Sequence, residues 1–147
     1  MFGWAVREWW DLYASVLPPE STPKKRGEAI AREVNKDRFF GPLVATDEPV
    51  FLGYAVNVLD TFREALEAPW MYRHRCEPLE AWIPAAADWI EALGPQTYEW
   101  EEEECRPGAR GRKGPLWSGK NGFSKERWRF WRGSLQRLPG WRTSLKR

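Results

Sequence analysis

Apolar residues recur at helical spacing in several stretches of this 147-residue chain, and no useful length of it alternates with the period of two that a strand requires. The clearest stretch is 50–68, whose inner face carries Phe51, Ala55, Val58, Phe62 and Ala65. We therefore expect an all-α fold with five to six helices. The expected helices occupy residues 2–17, 24–36, 50–68, 84–93 and 125–138, with a short additional helix within 71–82 or 96–105.

Two helix starts carry a recognisable capping signal. Ser21 or Thr22 stands directly before Pro23, which suits the first turn of a helix because its missing N–H needs no partner there. Ser124 stands before the run KERWRFWRGSLQRL and is placed to cap it. Both caps are therefore predicted from local sequence alone.

Proline and glycine mark the expected breaks between the helices. Residues 39–49 contain Gly-Pro and Asp-Glu-Pro and are expected to form a loop. Pro84 is expected to open the fourth helix, and the Gly-Pro pair at 94–95 is expected to end it. A long loop rich in glycine and cations, residues 106–122, precedes the last helix. We expect one domain, residues 1–147, that contains this loop.

The chain is rich in tryptophan, with eleven in 147 residues. Burying one large aromatic side chain contributes roughly 4–6 kcal/mol by area, so a few buried indoles outweigh the net stability of a whole domain. The last expected helix places Trp128, Trp131, Leu135 and Leu138 on one face. This pattern favours a face buried in the core.

Residues 114–120, GPLWSGK, satisfy the spacing G-x-x-x-x-G-K of a phosphate-binding loop. Asn121 stands where such a loop needs Ser or Thr for magnesium, and Trp117 would crowd the amides that face a phosphate. We favour another interpretation, in which Trp117 and Phe123 anchor the loop onto the core while the glycines allow tight turns.

Charge divides the chain into an acidic and a basic part. Residues 1–105 carry ten Lys/Arg and twenty Asp/Glu, whereas residues 106–147 carry thirteen Lys/Arg and one acid, Glu126. The basic part suggests a surface for nucleic acid, with cations for phosphates and aromatic rings for bases. A buried tryptophan face and the acidic remainder of the chain both argue against this interpretation.

Aromatic and basic residues of the basic part form a candidate interaction surface, either for a protein or for nucleic acid. Its members are Trp117, Lys120, Arg127, Arg129, Phe130 and Arg132.

No catalytic or metal-binding arrangement stands out. His74 is the single histidine, and together with Cys76 and Glu77 it lacks the further ligands of a zinc site. Asp88 and Glu91 share one helix face and could hold magnesium, although ion pairing is the commoner role for such residues. We expect no catalytic residue, no metal and no cofactor.

The two cysteines, Cys76 and Cys105, imply no disulfide framework. We expect reduced thiols, with a single bridge between the two left open. No apolar run reaches the roughly 20 residues of a membrane span, and no secretory apolar segment follows the amino terminus. We expect an intracellular protein, either cytoplasmic or nuclear.

The order PAAADWIEALGPQTYEWEEE, then a basic glycine-rich loop, then GPLWSGKNGFSKERWRFWRGSL resembles a family of uncharacterised fungal proteins known as a domain of unknown function. The shared pattern is G-LW-G--GF--ERW--W, preceded by a long aliphatic helix, and it covers roughly residues 50–135. Members of that family continue into another helix, so this chain is expected to be a shortened member. The resemblance implies a helical fold and no mechanism.

We therefore expect a non-enzymatic helical protein that acts by binding another protein or itself. Two alternatives stay open. The first is nucleic-acid binding through residues 106–137, and the second is a tryptophan-lined site for an apolar small molecule.

Overall fold

The computed structural model describes residues 21–68, 79–100 and 113–138. These residues form five α-helices and no strand, in a single compact domain, which confirms the all-α prediction. In chain order the helices are α1 (Pro23–Ala45), α2 (Pro49–Leu52), α3 (Val56–Phe62), α4 (Leu79–Glu99) and α5 (Lys125–Gln136), and α3 continues as a π-helical stretch, Arg63–Glu67. The expected helix 2–17 lies outside the described residues.

Both predicted caps are confirmed. Thr22 precedes α1 with extended backbone, and its hydroxyl accepts a hydrogen bond from the Lys25 amide at 3.4 Å, with Pro23 in the first turn. Ser124 precedes α5, and its hydroxyl accepts from the Arg127 amide at 3.1 Å. These two helix starts are determined by local sequence because the capping residue satisfies amides that the helix itself leaves unpaired.

Helix α1 runs nine residues beyond the expected end at residue 36, so the predicted loop at 39–49 is wrong for its first seven residues. Phe40 and Val44 are buried within this extension, and Pro42 lies on the exposed side. At Gly41 a Cβ would lie 2.9 Å from Ala92 Cβ, so the glycine permits close approach of α4. Packing against α4 therefore overrides the weak helix propensity of Gly-Pro.

Helix α4 also contains the prolines that were expected to bound it. It begins at Leu79, before Pro84, and passes through Gly94 and Pro95 to end at Glu99, so both predicted ends are wrong. Leu93 is fully buried, and the Thr97 hydroxyl donates to the Gly94 carbonyl at 3.1 Å. The largest helix–helix interface of the described residues, between α1 and α4, holds this helix together across its prolines.

The stretch 50–68 is helical, but the prediction of one continuous helix is wrong. A turn at residues 53–55, beginning at the exposed Gly53, separates α2 from α3. The π-helical stretch then buries three consecutive residues, Ala65, Leu66 and Glu67. A π-helical turn contains more residues than an α-helical one and thereby changes which side chains face inward. The result is that Glu67 points into the protein.

The core lies between α1, α3, α4 and α5, and its largest fully buried side chains include Phe40, Phe62, Trp89 and Trp131. It also contains a polar contact, because the buried Asp37 carboxylate accepts hydrogen bonds from Trp89 Nε1 and from the Thr61 hydroxyl. The indole N–H of Trp89 thus has the partner that a buried tryptophan needs.

Candidate interaction loop and its buried base

The central polar contact of the described structure is an ion pair between Glu67, at the end of the π-helical stretch, and Arg127 in the first turn of α5. Both side chains are fully buried. Arg127 Nε donates to Glu67 Oε1 at 2.6 Å, and Arg127 Nη2 donates to Glu67 Oε2 at 2.9 Å. This is the bidentate geometry in which an arginine–carboxylate contact is strongest.

Two further donors complete the surroundings of the Glu67 carboxylate. Trp131 Nε1 donates to Oε1 at 2.6 Å, and the Gly114 amide donates to Oε2 at 2.6 Å. Each carboxylate oxygen therefore accepts two hydrogen bonds. A buried carboxylate needs this degree of compensation because its transfer from water is otherwise very costly.

The ion pair also closes the base of a loop, residues 114–122, which we call the interaction loop. Glu67 holds the first residue through the Gly114 amide, and Arg127 Nη1 holds the last by donating to the Gly122 carbonyl at 2.8 Å. The Glu67 carbonyl accepts from the Leu116 amide at 3.0 Å. Both ends of the loop are thus bound to one buried pair.

Gly114 is required at this base for steric reasons. A Cβ at this position would lie 2.5 Å from Glu67 Cβ and 2.9 Å from the Glu67 carbonyl oxygen. Since part of that obstruction is backbone, a side chain could be accommodated only by moving the loop.

Inside the interaction loop, Trp117 Nε1 donates to the Lys120 carbonyl at 2.8 Å. Just before the loop, the Lys113 amide donates to Asn121 Oδ1 at 3.1 Å and its ammonium to the Gly119 carbonyl at 3.3 Å. These contacts order the loop from within, as in compact loops whose ends lie close together.

The loop rests on α5 through an aromatic pair. The rings of Trp117 and Phe130 have centroids 5.5 Å apart, and both side chains are half-buried. Next to them, Leu116 is 51% exposed. The loop and one flank of α5 therefore present an apolar patch formed by Leu116, Trp117 and Phe130.

The structure divides the residues of the predicted interaction surface into three groups: those on or against the interaction loop, those on the outer side of α5, and the buried Arg127. Trp117, Lys120 and Phe130 lie on the interaction loop or directly against it, with Lys120 exposed. Arg129 and Arg132 are exposed on the outer side of α5. At about 100° per residue, Phe130 and Arg132 lie about 160° apart around the helix axis, so no single flat surface contains both.

Arg127 needs a correction, because the sequence prediction put it on the surface and the structure buries it in the ion pair with Glu67. A signal for this was present in the sequence. Arg127, Trp131 and Leu135 follow one another at intervals of four, so Arg127 lies on the same helix face as the core tryptophan. For Glu67 no comparable signal exists, since its orientation depends on the π-helical stretch.

The tryptophan face of α5 is buried as predicted. Trp131 and Leu135 are almost fully buried, whereas Trp128 and Leu138 are partly buried against the core. Trp128 Nε1 donates to the Thr97 hydroxyl at 2.9 Å. Trp131 is therefore unavailable as a platform for bases, and Trp128 is partly buried against the core with its N–H bound inside the protein.

The phosphate-loop interpretation of residues 114–120 is not supported by the backbone contacts. The amides of Gly114 and Leu116 donate to Glu67, and the amide of Trp117 donates to the Gly114 carbonyl at 3.2 Å. A phosphate-binding loop directs such amides at the ligand. In this protein they hold the loop to the π-helical stretch and to itself.

Asp88, one of the two carboxylates considered for magnesium, is engaged by an arginine. Its Oδ2 lies 3.3 Å from Arg38 Nε, and its Oδ1 accepts from Arg38 Nη2 at 3.4 Å, while Glu91 is exposed. Within the described ranges no three Asp, Glu, His or Cys residues lie together as a metal site would require. His74, Cys76, Glu77 and Cys105 lie outside those ranges.

Burial raises the pKa of the Asp88 carboxyl above its ordinary value of 3.8, and the neighbouring Arg38 partly offsets this effect. A raised pKa in the folded state means that stability present below pH 3.8 is lost as the pH rises through the folded pKa. Asp88→Asn is therefore expected to gain stability relative to wild type between about pH 3 and about pH 7. Urea unfolding at both pH values measures this, with the exposed Glu28→Gln as control. A difference that does not change with pH would contradict the prediction.

In the part of the chain that the structure describes, no helix is both long and apolar enough to cross a membrane.

Comparisons with known proteins found no match among curated proteins and none among solved structures. The model of one protein family does match, and it covers residues 1–135, including the interaction loop and nearly all of α5. The family is described as "Protein of unknown function (DUF3632)". The resemblance to an uncharacterised family is thus confirmed, while a fungal origin stays a prediction. The chain belongs to this family of proteins of unknown function.

Proposed function

We propose that this protein is a binding protein, and that it docks an acidic protein surface on the interaction loop and the adjoining flank of α5 that carries Phe130. The observation that carries the proposal is an ordered loop that presents an exposed apolar side chain, Leu116, beside the half-buried ring pair of Trp117 and Phe130. Contacts at the centre of protein interfaces have this composition, with aromatic and aliphatic anchors in a rigid setting.

The loop is ordered before any partner arrives. Its two ends are held by the buried pair of Glu67 and Arg127, and Trp117 is held by the Lys120 carbonyl. A preordered loop loses little conformational entropy on binding, so a small apolar patch can contribute measurable affinity.

Charge favours an acidic partner. Residues 113–138 contain one acid, Glu126, whereas Arg127 is neutralised internally and several other cations are exposed. The exposed cations of this segment are Lys113, Lys120, Arg129, Arg132 and Arg137, of which Arg132 faces away from Phe130 and lies outside the proposed surface. Complementary charge at the rim of an interface raises the association rate and excludes basic partners.

A protein fits this surface better than a nucleic acid does. Binding of single strands relies on exposed rings on which bases stack, and the indoles of Trp128 and Trp131 are used inside the protein. Trp117 lies against Phe130 and donates its N–H within the loop. The exposed arginines alone would provide phosphate contacts without base contacts.

The test uses two glutamate-rich peptides, one with a central leucine and one without, and an oligothymidylate of equal charge. Binding is followed by tryptophan fluorescence at low salt. We expect the leucine-bearing peptide to bind most tightly, and Leu116→Ser to weaken it by about tenfold, equal to roughly 1.4 kcal/mol. The matched control is Val50→Ser, because Val50 is an exposed apolar residue of α2, 68% accessible.

Two outcomes would overturn the proposal. The first is the absence of peptide binding at low salt. The second is tighter binding of the oligothymidylate, which would make the protein a general polyanion binder. Sedimentation of the protein alone, with and without Leu116→Ser, checks the case in which the acidic partner is a second copy of the chain. We also propose that the protein resides in the cytoplasm or the nucleus, because its two cysteines imply no disulfide framework.

A further inference from the structure

The four hydrogen bonds to the Glu67 carboxylate come from one continuous segment of the chain. Gly114 donates through its amide, Arg127 through Nε and Nη2, and Trp131 through Nε1, at distances of 2.6 to 2.9 Å. Residues 114–131 therefore supply every donor, and the π-helical stretch supplies only the anion.

Two of the three donor residues, Arg127 and Trp131, are held in place independently of the anion. Arg127 Nη1 donates to the Gly122 carbonyl at 2.8 Å, and the guanidinium carbon lies 5.2 Å from the centre of the Trp131 ring. The Trp131 ring packs edge-on against Phe62, with centroids 4.8 Å apart. The guanidinium and the indole are thus fixed by contacts in which Glu67 takes no part.

From this arrangement we infer that residues 114–131 form a carboxylate-binding site whose ligand is supplied from within the chain by Glu67. The inference does not depend on the proposed docking function. It assigns a carboxylate ligand to the segment, in place of the phosphate that the G-x-x-x-x-G-K spacing suggests. The site is closed in the wild-type protein because Glu67 fills it, and a free carboxylate can enter only when that side chain is removed.

The geometry is selective for a carboxylate over a phosphate or a halide. Two oxygens each receive two donors, and the fork of the arginine matches a planar carboxylate. A tetrahedral phosphate would bring additional charged oxygens into a fully buried space. Those oxygens would have no donor among the groups that bind Glu67, so their burial would be unfavourable.

Glu67→Ala provides the test, because this substitution removes Cγ and the carboxylate, and acetate consists of the same atoms. We expect acetate to raise the melting temperature of Glu67→Ala by roughly 3–5 °C for each tenfold increase in concentration above its dissociation constant. Formate should act more weakly, because it leaves one carbon position empty, and propionate should act more weakly because it is too large. Chloride and phosphate at equal ionic strength should have no specific effect.

Two matched variants separate this site from general salt effects. Glu64→Ala removes a neighbouring carboxylate that pairs with Arg63 at 2.9 Å at the protein surface, and acetate should not change its melting temperature beyond the effect of chloride. Glu67→Ala combined with Arg127→Met removes the main donor together with the anion, and it should lose the response to acetate.

The outcome decides the inference in each case. An acetate-specific rise in Glu67→Ala that is absent from both control variants supports the site. An equal response to acetate and chloride overturns it, and so does an acetate response that survives Arg127→Met. If Glu67→Ala is unfolded in buffer, the same titration is made in a stabilising osmolyte that restores the folded state. The absence of any response to acetate there overturns the inference as well.

Discussion

Replacing Arg127 with methionine is expected to lower the free energy of unfolding by about 3–5 kcal/mol. The reason is that the substitution leaves the Glu67 carboxylate buried without its cation, while Trp131 and Gly114 still hold it inside the protein. It also releases the Gly122 carbonyl at the end of the interaction loop. Urea unfolding monitored by circular dichroism measures the loss.

The control for this prediction is Arg129→Met, two residues further along α5. Arg129 is 59% exposed, and its contact with Glu126 spans 3.9 Å, so its removal is expected to change stability by no more than about 0.5 kcal/mol. Adding Glu67→Gln to Arg127→Met should restore part of the loss, because it removes the buried charge while the amide oxygen still accepts from Trp131. Equal stability of the Arg127 and Arg129 variants would show that the ion pair contributes nothing.

Trp131→Ala is expected to produce a loss of similar size, about 3–5 kcal/mol. Trp131 is 1% exposed, and its ring packs against Phe62 and Phe123, with centroids 4.8 Å and 6.3 Å away. The substitution creates a cavity and also removes a donor from Glu67. Thermal and urea unfolding together measure the effect.

Trp117→Ala is the comparison for Trp131→Ala, because Trp117 is half-buried and its ring lies on Phe130 at the surface. We expect a smaller decrease in the free energy of unfolding, of the size usual for substitutions of partly exposed residues, and a less ordered interaction loop. If Trp117→Ala destabilises the protein as much as Trp131→Ala, then the division into a buried face and a surface patch is wrong.

The helical character of the protein could be predicted from local sequence. Apolar residues at helical spacing form one apolar face of a helix, whichever element that face later packs against. The starts at Thr22 and Ser124 were predictable for the same local reason, because a capping side chain acts within three residues of its own position. The buried stripe of Trp131 and Leu135 likewise follows from the periodicity of α5.

The ends and breaks of the helices could not be predicted in this way. Pro42 and Pro95 disrupt an isolated helix, yet both lie within helices that pack along each other. The cost of a missing hydrogen bond is local, whereas the burial of Phe40, Val44 and Leu93 is a property of the assembled core. Burial between α1 and α4, which are distant in sequence, stabilises these helices by more than the prolines destabilise them.

The candidate site shows the same division. We expected Trp117 and Phe123 to anchor the glycine-containing loop onto the core. Phe123 is buried in the core as expected, whereas Trp117 is half-buried and lies on Phe130 at the surface. The spacing of four between Arg127 and Trp131 also indicated that Arg127 lies on the buried face, but its pairing with an acid sixty residues earlier could not be predicted.

Local sequence therefore determined that this protein is helical, where two of its helices begin and which face of α5 is apolar, because each of these depends on neighbours within a turn or two. The tertiary structure alone decided which carboxylate would be buried and which cation would meet it. A charge enters the core only where donors from distant segments converge on it, and Glu67 meets that condition after the π-helical stretch has turned it toward Gly114, Arg127 and Trp131.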